Sequence, residues 1–195
     1  MTSKYDLTTQ DPSRLVAKQT LKAKLPSLRA LTPKVPLRGT ILLADISGSM
    51  KGEKLVGLQK CLSDVWAPGL QAIVFNHALW ELEKSDINHL EASGSTNMLG
   101  ALQEAWSRSP KHLILITDGY PNQLQREILA HAQAHNHVPI DTIGISDSKG
   151  RSFDPQFLQD LARITGGKYN DITKPLELSL VVQHLLAEKS EEVKL

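Results

Sequence analysis

Two runs, "TILLAD" at residues 40–45 and "HLILITD" at residues 112–118, are almost wholly apolar and then end in an aspartate. A strand with no polar alternation has both faces covered, which happens mainly in parallel sheets sandwiched between helices. Parallel strands need long crossovers, and helix-like segments follow both runs. This rhyme is the strongest constraint on the fold.

The remaining pattern agrees with it. Strands are predicted at Gly39–Asp45, Leu70–Asn76, Leu79–Glu83, within Lys111–Gly119, at Val138–Ser146 and at Lys168–Asp171. The second and third are joined by a short turn at His77 and read as an antiparallel pair. Helices are predicted over Glu53–Val65, with Leu55, Leu58 and Leu62 on one face, and over Asn97–Arg108, burying Met98, Leu102 and Ala105 or Trp106. Three more are predicted over Gln123–His135, from Asp154 or Pro155 to Ile164, and over Leu176–Glu188. The expected fold is α/β: a Rossmann-like, doubly wound, mainly parallel sheet with one antiparallel edge strand and helices on both faces.

A chain of 195 residues accommodates one such domain with extensions. Residues 1–37 are expected to form a basic accessory arm, a helix opened by Asp11–Pro12 and then a proline-containing linker. Residues 38–188 form the domain, and 189–195 a charged, frayed tail. The net charge of +1 conceals an asymmetry, since residues 1–40 hold eight Lys and Arg against two Asp. The arm therefore either lies on the acidic body or binds an acidic partner, nucleic acid included. No apolar run approaches a membrane span, and "MTSKYDLTTQDPSRL" has no secretory h-region, so a cytoplasmic location is expected. Cys61 reads as a buried helix residue. The three tryptophans, Trp66, Trp80 and Trp106, read as packing residues rather than a base-stacking platform. His131, His135 and His137 read as a solvated helix end rather than zinc ligands.

In a doubly wound sheet ligands bind at the carboxyl ends of the strands, and Asp45 and Asp118 stand at such ends. The first loop, "DISGSM", lacks the Lys-Ser/Thr of a phosphate-binding P-loop and the G-x-S-x-G of a nucleophile elbow. It also has Ser47 where a phosphatase of the haloacid dehalogenase type carries its second aspartate. Alternation at Asp45, Ser47 and Ser49 instead turns three hard oxygens toward one centre, as Mg²⁺ or Mn²⁺ prefer. Thr96 in "SGSTN" and Asp118 in "ITDG" are further oxygen donors at neighbouring strand ends. Each residue taken alone would also serve as a helix cap or a turn former.

Together, "DISGS", the later Thr96 and "TDG" resemble the von Willebrand factor type A family and its metal-ion-dependent adhesion site, in the intracellular type. The resemblance covers roughly residues 37–188. It implies a divalent metal, Mg²⁺ or Mn²⁺ with Ca²⁺ as a further candidate, held by Asp45, Ser47, Ser49, Thr96 and Asp118. The hydroxyls would touch the ion directly and the aspartates often through water. It also implies no catalysis, but metal-bridged binding to a partner protein's Asp or Glu, with an AAA+ ATPase of the MoxR type as a candidate partner. The alternatives are nucleic-acid or acidic-partner binding by the arm and, less favoured, metal-dependent phosphotransfer. One departure is Gly94-Ser95, where the family often has two glycines. On the sequence, replacing Asp45 or Asp118 by Ala is expected to abolish partner capture and leave the fold largely intact.

Overall fold

The computed structural model describes residues 39–148, 150 and 153–192. The expectations for the N-terminal arm and for the last three residues lie outside these. Six strands form one sheet: β1 (Thr40–Asp45), β2 (Gln71–Phe75), β3 (Leu79–Glu81), β4 (His112–Thr117), β5 (Ile140–Ile145) and β6 (Tyr169–Ile172). Their order is β3-β2-β1-β4-β5-β6, parallel throughout except for the β2–β3 edge pair. The predicted fold class is thus the observed one.

Five helices connect or follow the strands: α1 (Glu53–Val65), α2 (Met98–Ser107), α3 (Gln125–Ala134), α4 (Pro155–Thr165) and α5 (Leu178–Glu192). Strand alternation divides the core into two layers. Leu42, Ala44, Val74, Ile114 and Ile116 pack with Leu58, Cys61 and Leu62 of α1 and Val182 and Leu186 of α5. Ile41, Leu43, Ile73, Leu113 and Leu115 pack with Met98 and Leu102 of α2, Ile128 of α3 and Leu161 of α4 on the other face. Every residue of β1, β4 and β5 is buried. That explains why their sequences lack alternation, because both faces are removed from water and each face contributes apolar burial.

Local differences have physical causes. Short 3₁₀ turns at Gly48–Met50, Lys84–His89 and Pro175–Glu177 were not expected; they are too short for periodicity to reveal. The last helix continues to Glu192, so the chain stays helical beyond residue 188, where a frayed tail was expected. The buried stripe of α1 is Lys54, Gly57, Leu58, Cys61, Leu62 and Val65, rotated from the predicted face so that Leu55 lies at its margin. Gly57 is required there, since a Cβ would fall 2.5 Å from the Pro175 carbonyl oxygen. Trp106 is buried and stacks on His135 with ring centroids 4.3 Å apart, whereas Trp80 lies on the edge strand β3 and is 42% exposed. Among the described residues no helix is long and apolar enough to cross a membrane.

Candidate functional site

The strand order reverses direction between β1 and β4, and in doubly wound folds ligands bind at the carboxyl ends of the strands at such a switch point. Parallel pairing sets Ala44 beside Ile116 and so brings the next residues, Asp45 and Thr117, level with each other. The Thr117 hydroxyl donates to Asp45 Oδ2 at 2.6 Å, and the Ser47 amide donates to Asp45 Oδ1 at 2.8 Å. Asp45 is fully buried at the floor. Its loss of water dominates its titration and pushes the carboxyl up to about 6, although the Thr117 and Ser47 hydrogen bonds pull the other way.

From this floor the first loop rises through the 3₁₀ turn. The Ser47 and Ser49 hydroxyls lie 3.0 Å apart, and Ser49 Oγ donates to Asp118 Oδ1 at 2.7 Å. Ser47 is buried while Ser49 is exposed, so the cluster opens to solvent at Ser49. The Gly48 amide donates to the Gly94 carbonyl at 2.9 Å and ties the first loop to the second. Gly94 has φ 71°, and a Cβ there would meet His77 Nδ1 at 2.3 Å, so glycine is needed on both counts. Ser95 has no such demand. Its hydroxyl accepts from Asn122 Nδ2 at 2.7 Å and joins the second loop to the third.

Asn122 holds Thr96 in place from both sides of the backbone. Its side-chain oxygen accepts from the Thr96 amide at 3.2 Å, and its own amide donates to the Thr96 carbonyl at 2.9 Å. Helix α2 then starts at a capped end, with Asn97 Oδ1 accepting from the Gly100 amide. Capping of α2 thus falls to Asn97 rather than to Thr96.

Gly119 reveals how closely the three loops converge. A Cβ placed on it would lie 3.2 Å from Ser49 Oγ, 3.5 Å from Thr96 Oγ1 and 4.0 Å from Asp45 Oδ2. The absence of a side chain at Gly119, in the third loop, leaves room beside oxygens of the first and second loops. With the Ser47–Ser49–Asp118 chain, all five residues singled out in the sequence meet in one cluster. Its donors are two carboxylates and three hydroxyls, a hard-oxygen set that fits Mg²⁺ or Mn²⁺ better than a soft metal. Among the described residues no three His, Cys, Asp or Glu side chains group as a metal cage. The His131–His135–His137 series therefore forms none, and His135 is half-buried against Trp106 rather than simply solvated.

The sequence reading missed Lys54. Its ammonium contacts Asp118 Oδ2, lies 3.5 Å from the Ser49 carbonyl and 3.9 Å from Asp147 Oδ2, and its side chain is only 5% exposed. A lysine in the apolar stripe 54, 58, 61, 65 was the available signal. A buried ammonium needs an anion, and the strand-end aspartates are the anions within reach.

Known proteins resemble this chain. A family model described as the von Willebrand factor type A domain matches residues 63–171, a span that includes Thr96 and Asp118 and starts after the first loop. The human von Willebrand factor A domain-containing protein 3A is 35% identical over 88 residues, which cover 43% of this chain and 7% of that protein. The human protein 3B is 26% identical over 108 residues, covering 51% and 8%. The chain thus spans less than a tenth of either human relative. A solved von Willebrand factor type A structure from Catenulispora acidiphila superposes with a TM-score of 0.68 at 19% identity. It covers 78% of this chain and 42% of that one, a likeness of fold.

Proposed function

Because the chain belongs to the von Willebrand factor type A domain family, a family of protein-interaction modules, we propose that it binds a partner protein through a divalent cation. Ser47, Ser49 and Thr96 would hold the ion together with Asp45 and Asp118. The observation that carries this reading is the approach of oxygens from the first loop (Asp45 and Ser49) and the second (Thr96) to Gly119 of the third, beside Asp118. A bound Mg²⁺ or Mn²⁺ supplies a hard, positively charged centre for an anionic oxygen. Three neutral hydroxyls leave the ion's charge to two carboxylates, so an Asp or Glu of the partner is the favoured remaining ligand. The exposed Ser49 marks the side from which it enters, and Tyr120, 60% exposed just beyond Gly119, offers an apolar rim there. An intracellular AAA+ ATPase displaying an acidic residue is the kind of partner we put forward. The chain would act as an adaptor, not as an enzyme.

The buried Lys54 changes which variant tests this. Removing Asp118 would strip a buried ammonium of its contacting carboxylate, a change that typically costs about 3–5 kcal/mol and would confuse folding with binding. Ser49→Ala removes one exposed hydroxyl and leaves that ion pair intact. Affinity capture from native lysate should retain a set of proteins in Mg²⁺ that is lost both in EDTA and with Ser49→Ala. Retention of the same proteins in EDTA would refute metal-bridged binding.

A further inference from the structure

The site already contains a cation. Lys54 reaches it from the second residue of α1 and contacts Asp118 Oδ2, the carboxylate whose other oxygen accepts from Ser49. An ammonium on Asp118 and a divalent ion bound through Asp118 repel each other, and both are out of bulk water, where screening is weak. The lysine must therefore lower metal affinity unless it moves. A destination exists: Asp147, just beyond β5, has its Oδ2 3.9 Å from the same ammonium and its side chain 11% exposed.

We infer that Lys54 is an internal competitor for the metal, held on Asp118 when the ion is absent and shifted onto Asp147 when the ion binds. This rests on the metal reading above and adds a regulatory element to it. The lysine satisfies the buried Asp118 in the metal-free protein, and Asp147 receives it without returning a charged group to the apolar core. Metal is then held weakly by the domain alone. The stretch that places Lys54, "GSMKGEK", lies directly between the first loop and α1, so displacement of the ammonium bears on the start of α1. That is how occupancy of the site would reach the surface around it.

A four-protein cycle tests this with Mn²⁺ as the probe, its free concentration read by electron paramagnetic resonance at mildly alkaline pH. Lys54→Met keeps the length and apolar stem and removes the charge; it is expected to bind Mn²⁺ at least about tenfold more tightly than the unaltered protein, the direction set by removing like-charge repulsion at short range. Asp147→Asn is expected to weaken binding when Lys54 is present and to do so much less in the Lys54→Met background. Equal affinity with and without Lys54, weaker binding by Lys54→Met, or an equal cost of Asp147→Asn in both backgrounds overturns the inference. If neither the unaltered protein nor Lys54→Met binds Mn²⁺, the metal reading itself fails. A measurement on the unaltered chain guards against a misfolded variant: the Lys54 side-chain resonances should shift during a Mg²⁺ titration, and unchanged resonances at saturation overturn the displacement.

Discussion

Asp45 is a carboxylate kept in an apolar floor, and Asp45→Asn should reveal what that costs. Burial raises its carboxyl from an ordinary 3.8 to about 6, so the folded chain favours the protonated form. A carboxyl raised in this way contributes stability that is complete below its unfolded pKa and is lost as pH rises through the folded one. At about pH 7.5 the lost stability amounts to about 3 kcal/mol, and at about pH 4 most of it is retained. Asparagine keeps an oxygen for the Ser47 amide but turns a donor toward Thr117, whose hydroxyl now donates to Asp45. Rearranging that one hydrogen bond costs about 1 kcal/mol. In EDTA the variant should therefore be about 2 kcal/mol more stable than the unaltered protein at about pH 7.5, and should lose that advantage by about pH 4. Urea unfolding followed by circular dichroism at the two pH values measures both differences. Adding Mn²⁺ should stabilise the unaltered protein alone, because only a state that binds the ion gains from it. A variant less stable at the higher pH, or an advantage that persists at the lower pH, would refute the reasoning.

Two further outcomes follow from the same geometry. Gly119→Ala places a methyl 3.2 Å from Ser49 Oγ and in the space between the three loops, so Mn²⁺ affinity should fall at least about tenfold, or 1.4 kcal/mol, while the thermal midpoint changes little; unchanged Mn²⁺ affinity would show that the space is not the ion's. Cys61 is fully buried in α1 and burial pushes its thiol up, so a thiol reagent should fail to label the folded protein and should label it in urea; rapid labelling of the folded protein would contradict that placement.

How much of this was legible in the sequence depended on which interactions are local. The strands and α1 could be placed because unbroken apolar runs and helical spacing are properties of a few neighbouring residues, and Glu53–Val65 is the helix in both readings. The five oxygen donors were legible because the first three share one loop and Asp118 directly follows β4 in a fold whose ligand-binding edge is known in advance; Thr96 was expected at a strand end but lies in the long loop between β3 and α2. What was lost needed contacts across the chain. Lys54 and Asp118 are 64 positions apart, and Asn122 reaches back 26 positions to Thr96. The face of α1 was misjudged for the same reason. Leu55 was assigned inward on its apolarity, while the lysine beside it took the buried row because an aspartate stood opposite.

The two aspartates of the site illustrate two ways of keeping an acid on an apolar sheet. Asp118 is held by an ammonium and a serine hydroxyl, whereas Asp45 has only hydrogen-bond donors and so shifts toward protonation. Neither arrangement serves the stability of the metal-free chain well. A hydrophobic pair in place of Lys54 and Asp118 would often be as stable or more so, and an amide in place of Asp45 should be. Groups that cost stability and converge at the carboxyl ends of the strands are common at binding sites. The cost at Asp45 would be relieved by protonation, by an amide or by a cation, and the proposed divalent ion is the one of these that also uses the neighbouring hydroxyls and Asp118.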